Sequence, residues 1–203
     1  MAPGNTLFQV MHMHRKAFSL IELLIAISVS SILVAITIST YGLFRRGIAQ
    51  DNAKAQLSQN GRVALDRISR EVRVTPQVIT QFPDNAADPD PIQPHEIEFQ
   101  DGFLAISDPS YLTYHRYWLS GTTLMMDVKE YIFTSNPGVR VLAGSTDGGG
   151  NPPVPHIISS QAIALSVTSL VLYGSKPLEI DLATSDVTGQ SYVLRTTVSG
   201  RNI

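Results

Sequence analysis

The sequence predicts an α+β fold, in which one long N-terminal helix is followed by a head rich in antiparallel β-sheet. An apolar run of membrane length lies near the N-terminus, the stretch after it keeps apolar residues at helical spacing, and the remainder breaks into short β-rich runs. We therefore expect a transmembrane half of the helix at 18–44, an amphipathic half at 45–75 and the head at 76–203.

The apolar run fits an ordinary cleaved secretory signal poorly, because it is longer than the core of such a signal. From Leu23 to Phe44 the chain has 22 residues without a formal charge, and as a helix they would span about 33 Å, enough to cross a bilayer. A secretory signal has an apolar core of only about 7–15 residues before its cleavage site. The nearest Ala-x-Ala, at residues 53–55, lies well beyond the run in a polar stretch.

The second half of the predicted helix is amphipathic. Glycines at 42, 47 and 61 weaken it by about 1 kcal/mol each where they are exposed. Pro76 ends it, because the residue before a proline is biased away from helical geometry. We expect one helix from Phe18 to Val74, with its apolar face formed by Ala53, Leu57, Ala64, Leu65, Ile68 and Val72.

The head contains several runs with strand composition, separated by Gly- and Pro-rich turns. Residues 97–100 with Asp101-Gly102 and residues 103–106 suggest one hairpin, and Ser120-Gly121 suggests a second. The predicted strand runs are IEFQ, FLAI, YLTYHRYWL, TTLMMDV, YIFTS, VRVLAG, IALSVTSLVLYG, LEIDLAT and SYVLRTTVSG.

Charge and cysteine content exclude some classes of protein. The chain has no cysteine, so it has neither a disulfide framework nor a thiolate metal site. Residues 1–75 carry nine Lys/Arg and four Asp/Glu (+5), and residues 76–203 carry six and thirteen (−7). An acidic head argues against nucleic-acid binding. The basic stem beside the apolar run favours lipid headgroups or acidic neighbours as partners.

The start of the apolar run contains one acid within a recognisable pattern. Lys16-Ala17-Phe18-Ser19-Leu20-Ile21-Glu22 resembles the prepilin processing motif of type IV pilins and type II secretion pseudopilins. The resemblance implies a leader peptide at 1–17, cleavage by a prepilin peptidase between Ala17 and Phe18, and methylation of the new amino terminus at Phe18. The family usually has Gly where this chain has Ala17. It also prefers leaders shorter than 17 residues. Translation from Met11 or Met13 would give such a short leader.

The resemblance extends more weakly to the end of the chain. Residues 169–202 resemble the closing strands of J-type pseudopilins and W-type minor pilins. It implies a structural subunit of a pilus or pseudopilus rather than an enzyme. Its partners would be other pilin or pseudopilin subunits, the prepilin peptidase, an inner-membrane assembly platform and the lipid bilayer. The protein would be a single-pass inner-membrane protein before assembly, with its head outside the cytoplasm.

Glu22 has a physical reason to be in lipid if the leader is removed. A charged side chain costs about 2.5–3.5 kcal/mol near the centre of a membrane helix and less near its end. Cleavage before Phe18 would create a cationic amine one helical turn from Glu22, and in a filament a neighbour's amine could replace it. An opposite charge keeps a carboxylate ionised where desolvation alone would neutralise it. The simpler interpretation is that Glu22 reaches the headgroups from the helix end.

Small residues predict a face where helices pack closely. Ser31, Ala35 and Ser39 recur every four residues, and Ser28 precedes Ser31 by three. Small side chains on one stripe allow close approach between membrane helices. Small residues are also common in any transmembrane helix. The stripe alone therefore does not distinguish a dedicated packing face from the ordinary composition of a membrane helix.

The other candidate residues do not predict a cofactor or a metal. The histidines at 12, 14, 95, 115 and 156 show no ligand spacing, and the loop aspartates at 84, 88, 90 and 147 lack calcium-loop spacing. The aromatic residues at 111, 114, 117 and 118 are expected in the sheet, with an exposed partner patch as the alternative. No hydrolase, P-loop or dinucleotide motif is present.

Two functional classes remain open. The first is the pilin or pseudopilin subunit, and the second is an extracytoplasmic enzyme or binding protein with an ordinary uncleaved anchor. Two basic residues precede the run (Arg15 and Lys16) and two follow it (Arg45 and Arg46). The positive-inside rule therefore does not predict which end of the helix faces the cytoplasm. A head outside the cytoplasm therefore rests on the family resemblance alone.

Overall fold

The protein consists of one long helix followed by antiparallel sheets, which confirms the predicted α+β class. The structure, a computed structural model, describes residues 19–84, 95–102, 112–174, 176–186 and 189–199. The predicted leader (1–17), Phe18 and the predicted strand at 103–106 lie outside these residues. The elements are α1 (Leu20–Val74), β1 (Glu96–Gln100), β2 (Tyr114–Ser120), β3 (Thr123–Phe133), β4 (Asn136–Arg140), β5 (Val154–Leu165), β6 (Val167–Tyr173), β7 (Leu178–Ser185) and β8 (Ser191–Val198).

The chain divides into two compact units, residues 1–50 and residues 51–203. In the first unit the apolar side chains of α1 are exposed along its whole described length. None of its most apolar 18-residue window is buried by the chain itself. By length and composition, α1 is the one helix among the described residues that could cross a membrane.

In the second unit, α1 buries one face against the sheets. Its buried residues there are Gly61, Ala64, Leu65, Ile68, Ser69 and Val72. Four of the six residues predicted for the apolar face are among them, while Ala53 and Leu57 are half-buried. The periodicity of the sequence therefore predicted the packed face correctly.

The strands form two antiparallel sheets. In the five-stranded sheet β1 pairs with β2 and β2 with β3, and β3 also pairs with β4 and β5. The three-stranded sheet has the order β6-β7-β8. The predicted turn between β2 and β3 is confirmed, with Gly121 at a φ of 60°. β1 hydrogen-bonds to β2. Val78, which lies outside the strands, forms an isolated antiparallel bridge with Phe99 of β1.

Several predicted strand boundaries were wrong. β4 ends at Arg140, inside the predicted run VRVLAG, and β5 begins at Val154, well before the predicted run IALSVTSLVLYG. The run IALSVTSLVLYG is not one strand, because Ser166 has a φ of 61° and separates β5 from β6 in different sheets. The runs TTLMMDV and YIFTS are not two strands, because β3 continues from Thr123 to Phe133. Composition alone does not reveal that one residue adopts a left-handed backbone conformation, nor that two predicted runs form one continuous strand.

Both sheets contribute side chains to one hydrophobic core with the helix. From the five-stranded sheet come Ile97, Phe99, Tyr117, Leu124, Met126 and Ala164. From the three-stranded sheet come Val167, Leu170, Leu172, Leu178, Ile180, Leu182 and Val198. Burying a large aliphatic side chain stabilises the fold by about 1.5–3 kcal/mol, so this cluster dominates the stability of the second unit.

The opposite face of the five-stranded sheet carries buried charge. Because side chains alternate along a strand, Glu98 points away from its core-facing neighbours Ile97 and Phe99. Its carboxylate lies 2.6 Å from Lys129 Nζ and accepts a 2.6 Å hydrogen bond from Tyr131. Lys129 and Glu98 are both buried, and the pair satisfies the hydrogen-bonding needs of two charges that would be costly alone.

A second polar cluster, the Glu71 cluster, links the helix to the sheet. The carboxylate of Glu71 accepts a 2.9 Å hydrogen bond from the Tyr117 hydroxyl and a 3.1 Å bond from Arg67 Nε. His115 Nδ1 lies 2.8 Å from the same carboxylate. Burial by itself raises the pKa of Glu71, but the hydrogen bonds with His115, Tyr117 and Arg67 outweigh it and hold the pKa below its usual value.

Gly61 is a packing residue rather than a weak point. The sequence suggested that it would loosen the helix if exposed, but it is buried. A Cβ there would overlap Leu194 Cδ1 and lie 3.5 Å from Leu182 Cδ2 and Thr184 Cγ2. Glycine therefore lets the helix approach β7 and β8 closely.

Gly102 makes a tighter approach, to backbone. A Cβ on Gly102 would overlap the carbonyl oxygen of Val74, lie 2.6 Å from its carbonyl carbon and lie 3.1 Å from the nitrogen of Thr75. The Thr75 hydroxyl donates a 2.6 Å hydrogen bond to the carbonyl oxygen of Gln100 beside it. The end of the helix is thus seated against the residues that follow β1.

We predict that Gly102→Ala lowers the free energy of unfolding by about 1–3 kcal/mol, because the new methyl group meets backbone that no rotamer change can move. The measurement is denaturant unfolding of the full chain in uncharged detergent, followed by near-UV circular dichroism. Gly138→Ala is the matched control, since nothing lies within 4 Å of that position. Equal stability of the two variants would contradict the seating of the helix end.

We also predict that Glu71 contributes stability that is lost in acid. Its folded-state pKa lies below the unfolded one, so the contribution is complete above about pH 4.3 and disappears as the pH falls through the folded-state pKa. Glu71→Gln should cost about 1.5–3 kcal/mol at pH 7, since it removes hydrogen bonds to a charged group. The gap between wild type and variant should close as the pH falls below about 4. A gap that is constant from pH 7 to pH 3 would contradict the assignment.

Candidate functional site

The helix α1 begins with a capping box that the sequence reasoning missed. Ser19 precedes the first helical residue, Leu20, and the Ile21 N–H donates to the Ser19 hydroxyl oxygen at 3.4 Å. In return, the Ser19 N–H donates to Glu22 Oε2 at 3.0 Å. Ser-x-x-Glu just before an apolar run is the sequence signal that predicts this arrangement.

The cap gives Glu22 a local role that is separate from any neighbour. A carboxylate in the first turn interacts favourably with the positive end of the helix dipole. It also satisfies one of the backbone N–H groups that a helix start leaves unpaired, which matters most where no water is available. Within the described residues only Oε2 accepts a hydrogen bond, so Oε1 is left for a further donor.

The small polar residues predicted for helix packing satisfy their own hydroxyl groups. Ser28 and Ser31 each donate a 2.8 Å hydrogen bond to the carbonyl oxygen four residues earlier, and Ser39 donates a 2.9 Å bond to the carbonyl oxygen of Ala35. Thr37 does the same with Leu33 at 2.8 Å. These hydroxyls therefore need no partner from a neighbouring helix, and their small size is what they offer to packing.

A shallow groove of about 580 Å³ runs along this part of the helix. It contains Ser31 and Ala35 from the predicted stripe, whereas Ser28 and Ser39 do not line it. Two further small residues, Ala26 and Ser30, line it and were missed by the sequence reasoning, although they also follow a four-residue spacing. The groove walls are Ile27, Val34 and Ile38.

The described histidines are not brought together. His95 Nδ1 lies 3.3 Å from the carbonyl oxygen of Leu170, His115 contacts Glu71, and His156 Nδ1 lies 3.0 Å from Glu130. Among the described residues, no group of three or more potential ligands could hold a metal ion. His12 and His14 lie outside these residues.

The carboxylate of Asp147 accepts hydrogen bonds from its own turn. Hydrogen bonds from the Asn151 side chain and backbone, and from the Gly149 N–H, lower its pKa. The Oδ1 contacts with Gly149 N and Asn151 N are both 2.8 Å. Asp84 is exposed, and the aspartates at 88 and 90 lie outside the described residues.

The aromatic residues of β2 are mostly core. Tyr114 and Tyr117 are fully buried, and the Arg116 guanidinium lies over the ring of Trp118, 5.2 Å from its centroid. Arg116 also bonds to the Glu96 carboxylate through Nε at 2.9 Å. Tyr111 lies outside the described residues.

A comparison with protein families places a signature on the capped end of α1. Residues 12–38 match the family description "Prokaryotic N-terminal methylation motif", the signature of type IV pilins and pseudopilins. No curated protein and no solved structure matches the chain. The motif supports a type IV pilin-like or pseudopilin subunit, a class that is generally structural rather than enzymatic. With the apolar helix, it fits a single-pass membrane-anchored protein.

Proposed function

We propose that the chain is a minor structural subunit of a type IV pilus or a type II secretion pseudopilus. A prepilin peptidase removes the leader between Ala17 and Phe18, and the subunit then joins the filament through α1. The observation that carries the proposal is the methylation motif at 12–38, which coincides with a capped helix whose apolar side chains the chain itself leaves exposed.

Each segment has a separate task in this proposal. The leader, residues 1–17, is discarded, and residues 18–44 lie first in the inner membrane and later among neighbouring subunits. Residues 45–75 carry the helix into the head, 76–203, which lies outside the cytoplasm. The exposed apolar surface between Leu20 and Phe44 supports this division, since lipid or other apolar helices must cover it.

Glu22 would act in assembly through Oε1, the carboxylate oxygen that accepts no hydrogen bond within the described residues. Cleavage before Phe18 creates an amine next to the Ser19 N–H that Glu22 Oε2 already accepts. Oε1 could then accept from that amine or from the amine of a neighbouring subunit. Such a charge pair sets the register between neighbours more than it adds stability.

Close packing of the helices would use the small residues of α1. Ser28, Ser31, Ala35 and Ser39 let neighbouring backbones approach, and the groove that holds Ser31 and Ala35 widens this face to Ala26 and Ser30. The hydroxyls of Ser28, Ser31, Thr37 and Ser39 already donate to their own backbone, which supports an apolar interface at these positions.

The proposed subtype rests on the closing residues. Residues 169–202 include most of β6 and all of β7 and β8, and their resemblance to J-type pseudopilins and W-type minor pilins supports a minor subunit. The genes adjacent to the coding sequence would distinguish a secretion system from a pilus.

An ordinary uncleaved anchor on a binding protein or enzyme is the alternative, because a long apolar helix alone fits it equally well. The two functions differ at one bond.

We predict that protein extracted from membranes with an active prepilin peptidase has the mass of residues 18–203 plus one methyl group. Ala17→Trp should block cleavage, because the peptidase motif requires a small residue there. Intact-mass spectrometry measures both, and an intact leader on the native protein would contradict the proposal.

We predict that Glu22→Ala leaves leader cleavage largely intact and reduces incorporation into filaments several-fold. Glu22→Gln is the matched variant, because its amide oxygen can still cap Ser19 while the charge is gone. Both should fail in assembly if the charge pair is what matters. Quantitative immunoblots of sheared filaments against total processed protein measure this. Normal incorporation of Glu22→Gln would assign Glu22 to helix capping and contradict the charge pair.

A further inference from the structure

A groove lies between α1 and the last strand, within the second unit. It has a volume of about 360 Å³. Its helix side includes Arg62, Ser69 and Arg73, and its strand side is formed by Leu194, Arg195 and Thr196 of β8. We refer to it as the β8 groove.

The two helix arginines of the β8 groove are free cations. Arg62 and Arg73 are exposed, and neither has an ion-pair or hydrogen-bond partner among the described residues. The other charges at the groove are paired, since Asp66 binds Arg70 and Arg195 binds Asp181 through two 2.7 Å contacts. Eleven residues of helix separate the two arginines, which places them on one face roughly 16 Å apart.

The strand side of the groove is a sheet edge. β8 pairs with β7 along its whole length, and β7 is its strand partner within the described part of the chain. Apart from the buried Val198, the side chains of β8 are at least partly accessible, and Val193 is 64% exposed on the outer face. An edge strand presents unpaired N–H and C=O groups that an extended polypeptide can match.

A buried hydroxyl beneath the groove also lacks a partner. Ser69 lies between the two arginines on α1, and its Oγ has no hydrogen-bond partner in the described structure. Buried polar atoms are rarely left unsatisfied. This part of the molecular surface thus combines an open sheet edge, two unpaired cations and one unused hydroxyl.

We propose that the β8 groove binds an extended acidic segment of another protein, which adds to β8 as a strand and places carboxylates on Arg62 and Arg73. Strand residues rise about 3.3 Å each and alternate between faces, so acids four or six residues apart would span the two arginines and lie on one face of the added strand. Strand addition supplies affinity through backbone bonds, and the charges supply specificity. A phosphate backbone could neutralise the arginines but could not pair with the strand edge.

This interaction surface goes beyond the proposed function and does not depend on leader cleavage. The test uses the full chain in uncharged detergent and a fluorescent peptide of alternating Thr and Val that carries two Glu four residues apart. Fluorescence anisotropy should show saturable binding that weakens with salt. The double variant Arg62→Glu/Arg73→Glu should bind the peptide roughly ten-fold or more weakly, because two charge-assisted contacts become repulsions.

Three comparisons make the result decisive. Arg45→Glu/Arg46→Glu changes the net charge equally but lies outside the groove, and it should bind as the wild type does. A peptide with Gln in place of both Glu, and an acidic peptide with N-methylated alternate amides, should each lose binding. Failure of the acidic peptide to bind, equal loss in both double variants, or undiminished binding of the N-methylated peptide would each overturn the proposal. Near-UV circular dichroism checks that the variants remain folded.

Discussion

The apolar surface of α1 between Leu20 and Ile48 is the constraint on which the rest of the structure depends. The chain itself buries none of the most apolar part of this surface, so another phase or another molecule must cover it. Burial is favourable by about 25 cal/mol for each Å² of apolar area removed from water. The capped start at Ser19 and the self-bonded hydroxyls meet the second demand of such an environment, in which each backbone or side-chain polar group must find a partner without water.

Beyond residue 50, one face of the same helix is buried against the sheets of the protein itself. Its buried face there is defined by Ala64, Leu65, Ile68 and Val72, and the cluster around Glu71 joins it to β2 through polar bonds rather than apolar contact alone. The sheet then carries the Glu98–Lys129 pair on its other face. Buried ion pairs add little net stability, but an isolated partner would be strongly destabilising, so such pairs restrict the strands to the register that brings both charges together.

The local features of this chain could be predicted from the sequence, whereas its long-range contacts could not. Helical periodicity predicted the packed face at Ala64 to Val72, and the Ser120-Gly121 turn predicted the β2–β3 hairpin, because both depend on neighbours in sequence. The break at Ser166, the packing of Gly61 against Leu194 and the bonds from His115 and Tyr117 to Glu71 depend on residues that are distant in the chain. The capping box depends only on the local pattern Ser-x-x-Glu, so it also belongs to the features that a sequence can predict.

The hydroxyls of Ser28, Ser31 and Ser39 donate to carbonyl oxygens of their own helix, and this affects how one such helix can move beside another. Since each hydroxyl hydrogen is already committed to its own backbone, axial sliding or rotation of a neighbour breaks no polar bond at these positions. In the middle of the helix, alignment with a neighbour therefore depends on how side chains fit the groove walled by Ile27, Val34 and Ile38, and not on hydrogen bonds from these three hydroxyls. A polar contact that fixes the alignment has to come from elsewhere, such as the charged end of the helix or the folded part of the molecule.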